Sequence, residues 1–152
     1  MGGWVYVGIC AAGLIGWALL LDERLDSEHR IAAWWVAGVQ GLGPWAGPVS
    51  FVRSTVALVV YSGVAWLGDL LASGAGNPLW ALVVSGPAML AYSPVVLAMA
   101  PFEGTAYAPW RSRLAAAGAD ARQQRAIAWW AGPPALVGFI AVLTTLFSVF
   151  VD

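Results

Sequence analysis

The chain contains no lysine, a single histidine (His29) and a single cysteine (Cys10), and only 10% of its 152 residues are charged. Soluble domains carry roughly 25% charged residues, so this sequence cannot coat a water-facing surface in the ordinary way. One cysteine excludes an internal disulfide; placed inside an apolar run, Cys10 reads as a small packing residue. One histidine leaves a zinc or copper centre short of ligands, since Asp26, Glu28 and Cys10 would have to converge on His29 to complete it. The seven basic residues are all arginines and face eight acidic ones, a net charge of −1. That balance offers no electrostatic basis for binding nucleic acid. No nucleophile–base pair, phosphate loop or G-x-S-x-G elbow appears, and an enzyme is not expected.

What the chain has instead is hydrocarbon: 61% hydrophobic residues and a mean hydropathy of +0.77. Residues 2–21, 79–101 and 126–151 are uncharged, and 54–72 carry only Asp69. Each stretch approaches the roughly 20 residues that a spanning helix needs, and backbone amides inside a bilayer need internal partners, so all four are expected as helices. The first lacks the basic leader of a secretory signal and reads as a retained span. Pro87, Pro94 and Pro101 should kink the third, with Ser85 and Ser93 at hand to re-satisfy freed carbonyls. The expected fold is an all-α, polytopic transmembrane helix bundle, one integral-membrane domain over 1–152.

Segment 31–52 (IAAWWVAGVQGLGPWAGPVSFV) admits two readings. It is uncharged and long enough to cross, yet four glycines, two prolines and Gln40 weaken it as a helix. If it lies flat at the interface, all seven arginines share one face. If it spans, Arg53, Arg111, Arg113, Arg122 and Arg125 oppose Arg24 and Arg30. Arginine bias slightly favours the flat reading; five spans is the expectation adopted, on the resemblance described below. Both readings put loop 102–125 in the cytoplasm and the C-terminus outside.

Two similar motifs, RIAAWW at Arg30–Trp35 and RAIAWW at Arg125–Trp130, set an arginine four residues ahead of paired tryptophans. Indole rings favour the headgroup zone and guanidinium groups reach outward to phosphates. Arg30 with Trp34 and Trp35, and Arg125 with Trp129 and Trp130, are therefore expected as interface anchors. The alternative use of ten tryptophans is a cage for a cofactor or sterol. Ala12 with Gly16, Gly43 with Gly47, and Gly63 near Ala65 and Gly68 would let helices approach closely. Asp69 is the candidate intramembrane polar group, either interfacial or functional. His29 reads as a solvated juxtamembrane residue, with haem or chlorophyll ligation as the alternative. Met89 and Met99 read as core filler, or as thioethers for copper. No cofactor is expected as resident.

The last third of the chain, from PVVLAMAPFEGTAYAPW to the end of the last apolar run, resembles the C-terminal part of the CtaG-type cytochrome c oxidase assembly factors, polytopic proteins of bacterial plasma membranes. A proline-bearing span there runs into an "LYPxY"-like turn, here Thr105-Ala106-Tyr107-Ala108-Pro109-Trp110. A "GLxxxxDQQxxGxxMW" loop follows, matched by Gly118, Asp120, Gln123, Gln124, Trp129 and Trp130, with Ala121 and Arg122 inserted. The membrane histidines of that family have no counterpart, so the resemblance implies scaffolding of an oxidase rather than metal carriage. The tryptophan-rich sensory proteins are similar in size and tryptophan content, but their proline-tryptophan signature is missing.

The functional expectation is a non-catalytic assembly or accessory subunit of a respiratory membrane complex, most closely cytochrome oxidase, in a bacterial plasma membrane. Its partners would be the lipid bilayer and other integral subunits. The alternatives are a small bundle binding a tetrapyrrole, sterol or quinone, a photosynthetic subunit, or a transporter fragment using Asp69. Loop 102–125 is expected to be ordered mainly by a partner, because on its own it buries little apolar area.

Overall fold

A computed structural model describes residues 2–100 and 107–151. Six α-helices account for most of them, and no strand occurs among the described residues: α1 Gly3–Leu25, α2 Ser27–Val39, α3 Ala46–Ala75, α4 Leu79–Met99, α5 Ala108–Ala116 and α6 Ala121–Phe150. Four of these, α1, α3 with its short leading turn, α4 and α6, are long and apolar enough to cross a membrane. They contain nearly all of the four apolar stretches, and the protein is a membrane-embedded helical bundle. Pro101, Thr105 and Ala106 lie outside the described residues.

Direction follows from paired side chains. Tyr6 stacks on Phe150 and Trp4 meets Phe147 edge-on, so α1 and α6 are antiparallel. Phe51 against Trp130 and Tyr61 hydrogen-bonded to Thr145 make α3 parallel to α6. Gly68 backs onto Ala81 and Tyr61 stacks on Tyr92, so α4 returns against α3. Helices α3, α4 and α6 pack on one another, and α1 lies in the groove between α4 and α6.

Segment 31–52 is not a fifth spanning helix. It holds most of α2, a break and the start of α3. The break has a local cause: Gly41 and Gly43 adopt φ of +77° and +51°, conformations that favour glycine, and Pro44 then opens a 3-10 turn at Gly43–Trp45. The corner between α1 and α2 is equally tight, with Asp26 left-handed and the Glu28 N–H donating to Asp22. All seven arginines consequently lie at one end of the bundle, on α2, α5 and the adjoining ends of α1, α3 and α6. The opposite end holds Gly2, Asn77 and Val151.

The core is stacked in two layers. At the arginine-free end, Val7, Tyr61, Met89, Tyr92, Val142 and Leu146 fill the space between the four long helices. At the arginine end, α2 and α5 close the bundle: Trp35, Val36, Val39, Trp110 and Leu114 pack on Met99, Ile127, Ala128 and Ala131. The α2 residues that face inward, Ala32, Trp35, Val36 and Val39, are spaced as one helical stripe.

The segment expected to need a partner for its order therefore finds one inside the chain. Residues 107–120 form α5 and the turn after it; Leu114 is fully buried and Trp110 nearly so, and Arg113 pairs with Glu28 of α2. The expectation missed these two apolar side chains because alanine and arginine dominate the segment.

Candidate functional site

Three regions could carry function: the arginine–tryptophan end, a polar groove between α3 and α6, and the outward face of α1.

At the arginine end the two anchor motifs behave differently. Trp34, Trp129 and Trp130 are exposed, as an interface role requires, whereas Trp35 is a core residue at 2% exposure. The cation over the first pair is Arg53 from α3, not Arg30. Its guanidinium sits 3.6 Å from the Trp34 ring centre and 5.2 Å from that of Trp35, crossing α2 where Gly38 leaves room for it. Trp34 and Trp35 themselves meet edge-on at 5.5 Å. Arg30 remains exposed beside them and lines a cleft of about 340 Å³ with Ile31, Trp34, Trp35 and Val95. In the second motif, Arg125 donates to Ala121 of its own helix, and Trp130 seats on Gly47.

The residues that carry the family resemblance mostly shape the entry to α6. Asp120 accepts from the N–H groups of Arg122 and Gln123, and the Gln123 side chain accepts from the Asp120 N–H, a reciprocal capping box. Gln124 donates to the Ala119 carbonyl. Pro109 occupies the first turn of α5 and Trp110 is buried beneath it. Tyr107, left-handed at φ +61°, presses its ring against Gly132 and meets Trp129 edge-on at 5.1 Å. Burial pushes its phenol above the ordinary range.

Asp69 lines a groove of about 380 Å³ between α3 and α6, together with Tyr61, Ser62, Trp66, Thr144 and Thr145. Tyr61 donates to Thr145, which donates in turn to Ala141; Thr144 donates to Ile140. These hydroxyls are thus satisfied within the fold, while the Asp69 carboxylate is exposed at the arginine-free end. The groove was not evident in the sequence beyond Asp69 itself, because its α3 and α6 residues lie far apart along the chain, Tyr61–Asp69 against Val137–Thr145.

Helix α1 packs on the bundle along one side and leaves the other open: 6% of its spanning window is buried. Gly8, Ala12 and Gly16 recur every four residues on its exposed side, and a methyl group added at Gly8, Gly13 or Gly16 would meet nothing within 4 Å. Of the other small residues, Gly68 packs against α4, Gly47 against Trp130, and Gly63 faces open space.

His29 is exposed on α2, Cys10 is half-buried on α1, and Met89 and Met99 are buried in different core layers. Among the described residues no three His, Cys, Asp or Glu side chains converge. Comparison of the chain with family models, curated proteins and solved structures returns no match.

Proposed function

We propose that this protein is a non-catalytic accessory or assembly subunit of a bioenergetic membrane complex, related to cytochrome oxidase, in a bacterial plasma membrane. Loop 102–125 and the arginine end would face the cytoplasm, in keeping with the positive-inside rule. The outward face of α1 carries the reading. Between helices in lipid there is no hydrophobic driving force, and association rests on close van der Waals contact across small side chains. A glycine inside a helix costs about 1 kcal/mol relative to alanine, and Gly8, Gly13 and Gly16 recover no packing inside this chain. A neighbouring helix seated on that face would supply the missing contact. The oxidase assignment rests on the C-terminal resemblance.

The test is native electrophoresis of mildly solubilised membranes from the source cell. The tagged protein should migrate with a haem-containing complex, read from visible absorption of the band. Gly8→Leu with Gly16→Leu should release it as a folded, smaller species. A solitary monodisperse protein, or a complex indifferent to the double substitution, contradicts the proposal.

A further inference from the structure

We propose that the cleft between α2 and α4 at the arginine end binds the headgroup phosphate of an anionic phospholipid, with Arg30 as its cation. The cleft, about 340 Å³, sets one guanidinium on a wall of Ile31, Trp34, Trp35 and Val95. A cation above an apolar wall suits a phosphate that continues into hydrocarbon, and basic pockets between membrane helices are where anionic headgroups bind.

A second, independent observation is the hydrogen-bond balance around the cleft. Trp35, 98% buried, lines it and its indole N–H has no acceptor. Next to it the Arg53 guanidinium lies on Trp34, with Nη1 turned against Gly38 of α2 rather than into the cleft. Buried polar groups are nearly always hydrogen-bonded, and the orphan of the cleft wall, the Trp35 N–H, is a donor. What the region lacks is an acceptor. Arg30 has no side-chain partner among the described residues, and its neighbour Glu28 is already engaged with Arg113. Phosphate oxygens satisfy guanidinium and N–H donors through short, charge-assisted bonds.

The apolar wall is the reason to choose a lipid over a free anion. Inorganic phosphate would leave Ile31 and Val95 unfilled, whereas the glycerol and upper acyl segment of a lipid would cover them. The inference concerns this cleft alone and stands independently of the accessory-subunit reading.

The test is native mass spectrometry of the whole protein in a neutral detergent. It is titrated with phosphatidylglycerol, with phosphatidylcholine of identical acyl chains, and with inorganic phosphate. Phosphatidylglycerol should be retained preferentially, and Arg30→Gln should weaken its retention by about tenfold while leaving phosphatidylcholine adducts unchanged. Phosphate in millimolar excess should not displace it. Should Arg30→Gln fail to fold, Val95→Trp, which fills the cleft from the α4 side, should produce the same loss. Equal retention of the two lipids, displacement by free phosphate, or retention unaffected by the folded variants would overturn the proposal.

Discussion

The indole nitrogen of Trp17 lies 3.0 Å from the carbonyl oxygen of Leu90, which is the carbonyl that Pro94 deprives of its helical donor. A proline four residues on has no N–H to give, and in hydrocarbon no water replaces it. Helix α1 thus supplies the hydrogen bond that α4 cannot make for itself. The same contact fixes α1 against α4, although most of α1 is unburied.

Trp17→Phe keeps an aromatic ring, though a smaller one, and removes the donor; the lost volume is common to both arms of the cycle below. It should destabilise the bundle by about 0.6–1.5 kcal/mol, the range for hydrogen bonds between membrane helices. In a Pro94→Ala background the Leu90 carbonyl regains a helical donor, and the cost of Trp17→Phe should fall to less than half. Unfolding titrations of the four proteins in one mixed-micelle system form the double-mutant cycle that reads this coupling. Additive costs would show that the bond does not serve the proline.

At the arginine end, packing rather than charge should hold α5. Leu114 is fully buried, so Leu114→Ala should cost about 2–5 kcal/mol. The Glu28–Arg113 pair is partly exposed on both sides, and Glu28→Gln should cost less than about 1 kcal/mol. Limited proteolysis within 107–120 reports both: wild type and Glu28→Gln resist in isolation, whereas Leu114→Ala is cleaved. Rapid cleavage of the isolated wild type would restore the expectation that an external partner mainly orders this segment.

Two glycines in long helices should respond oppositely to alanine. At Gly132 the added methyl collides with the Tyr107 ring; at Gly63 it meets nothing. Gly132→Ala should destabilise by about 1–3 kcal/mol through overpacking, and Gly63→Ala should be neutral or stabilise by up to about 1 kcal/mol. Thermal unfolding of the two variants in detergent separates them. Similar melting temperatures would deny the close fit of Tyr107 on α6.

The four spans were legible in the sequence because hydrocarbon imposes length and apolarity residue by residue. The fate of 31–52 was partly legible: its glycines and prolines stood out, but that Gly41 and Gly43 would both turn left-handed depends on the route the chain must take to bring α2 back over the bundle. The Asp120–Gln123 capping box was open to reading from spacing alone and was absorbed instead into a family motif. Long-range choices left no local trace. Nothing near Arg53 says that it, and not Arg30, will lie on Trp34, and nothing near Trp17 says that Leu90 needs a donor. The role of Trp35 was obscured by its neighbour, since adjacent residues on a helix point about 100° apart and only one of the pair reaches the core.

Four crossings with every arginine at one end is the claim on which the rest depends. Single cysteines placed at residues 2, 27, 41, 77 and 151 of a Cys10→Ala protein, probed in sealed inverted and right-side-out vesicles with an impermeant maleimide, test it most directly. Positions 27 and 41, which flank α2, should label from one side together, and 2, 77 and 151 from the other. Labelling of 27 and 41 from opposite sides would mean that α2 crosses the bilayer, and would contradict the fold described.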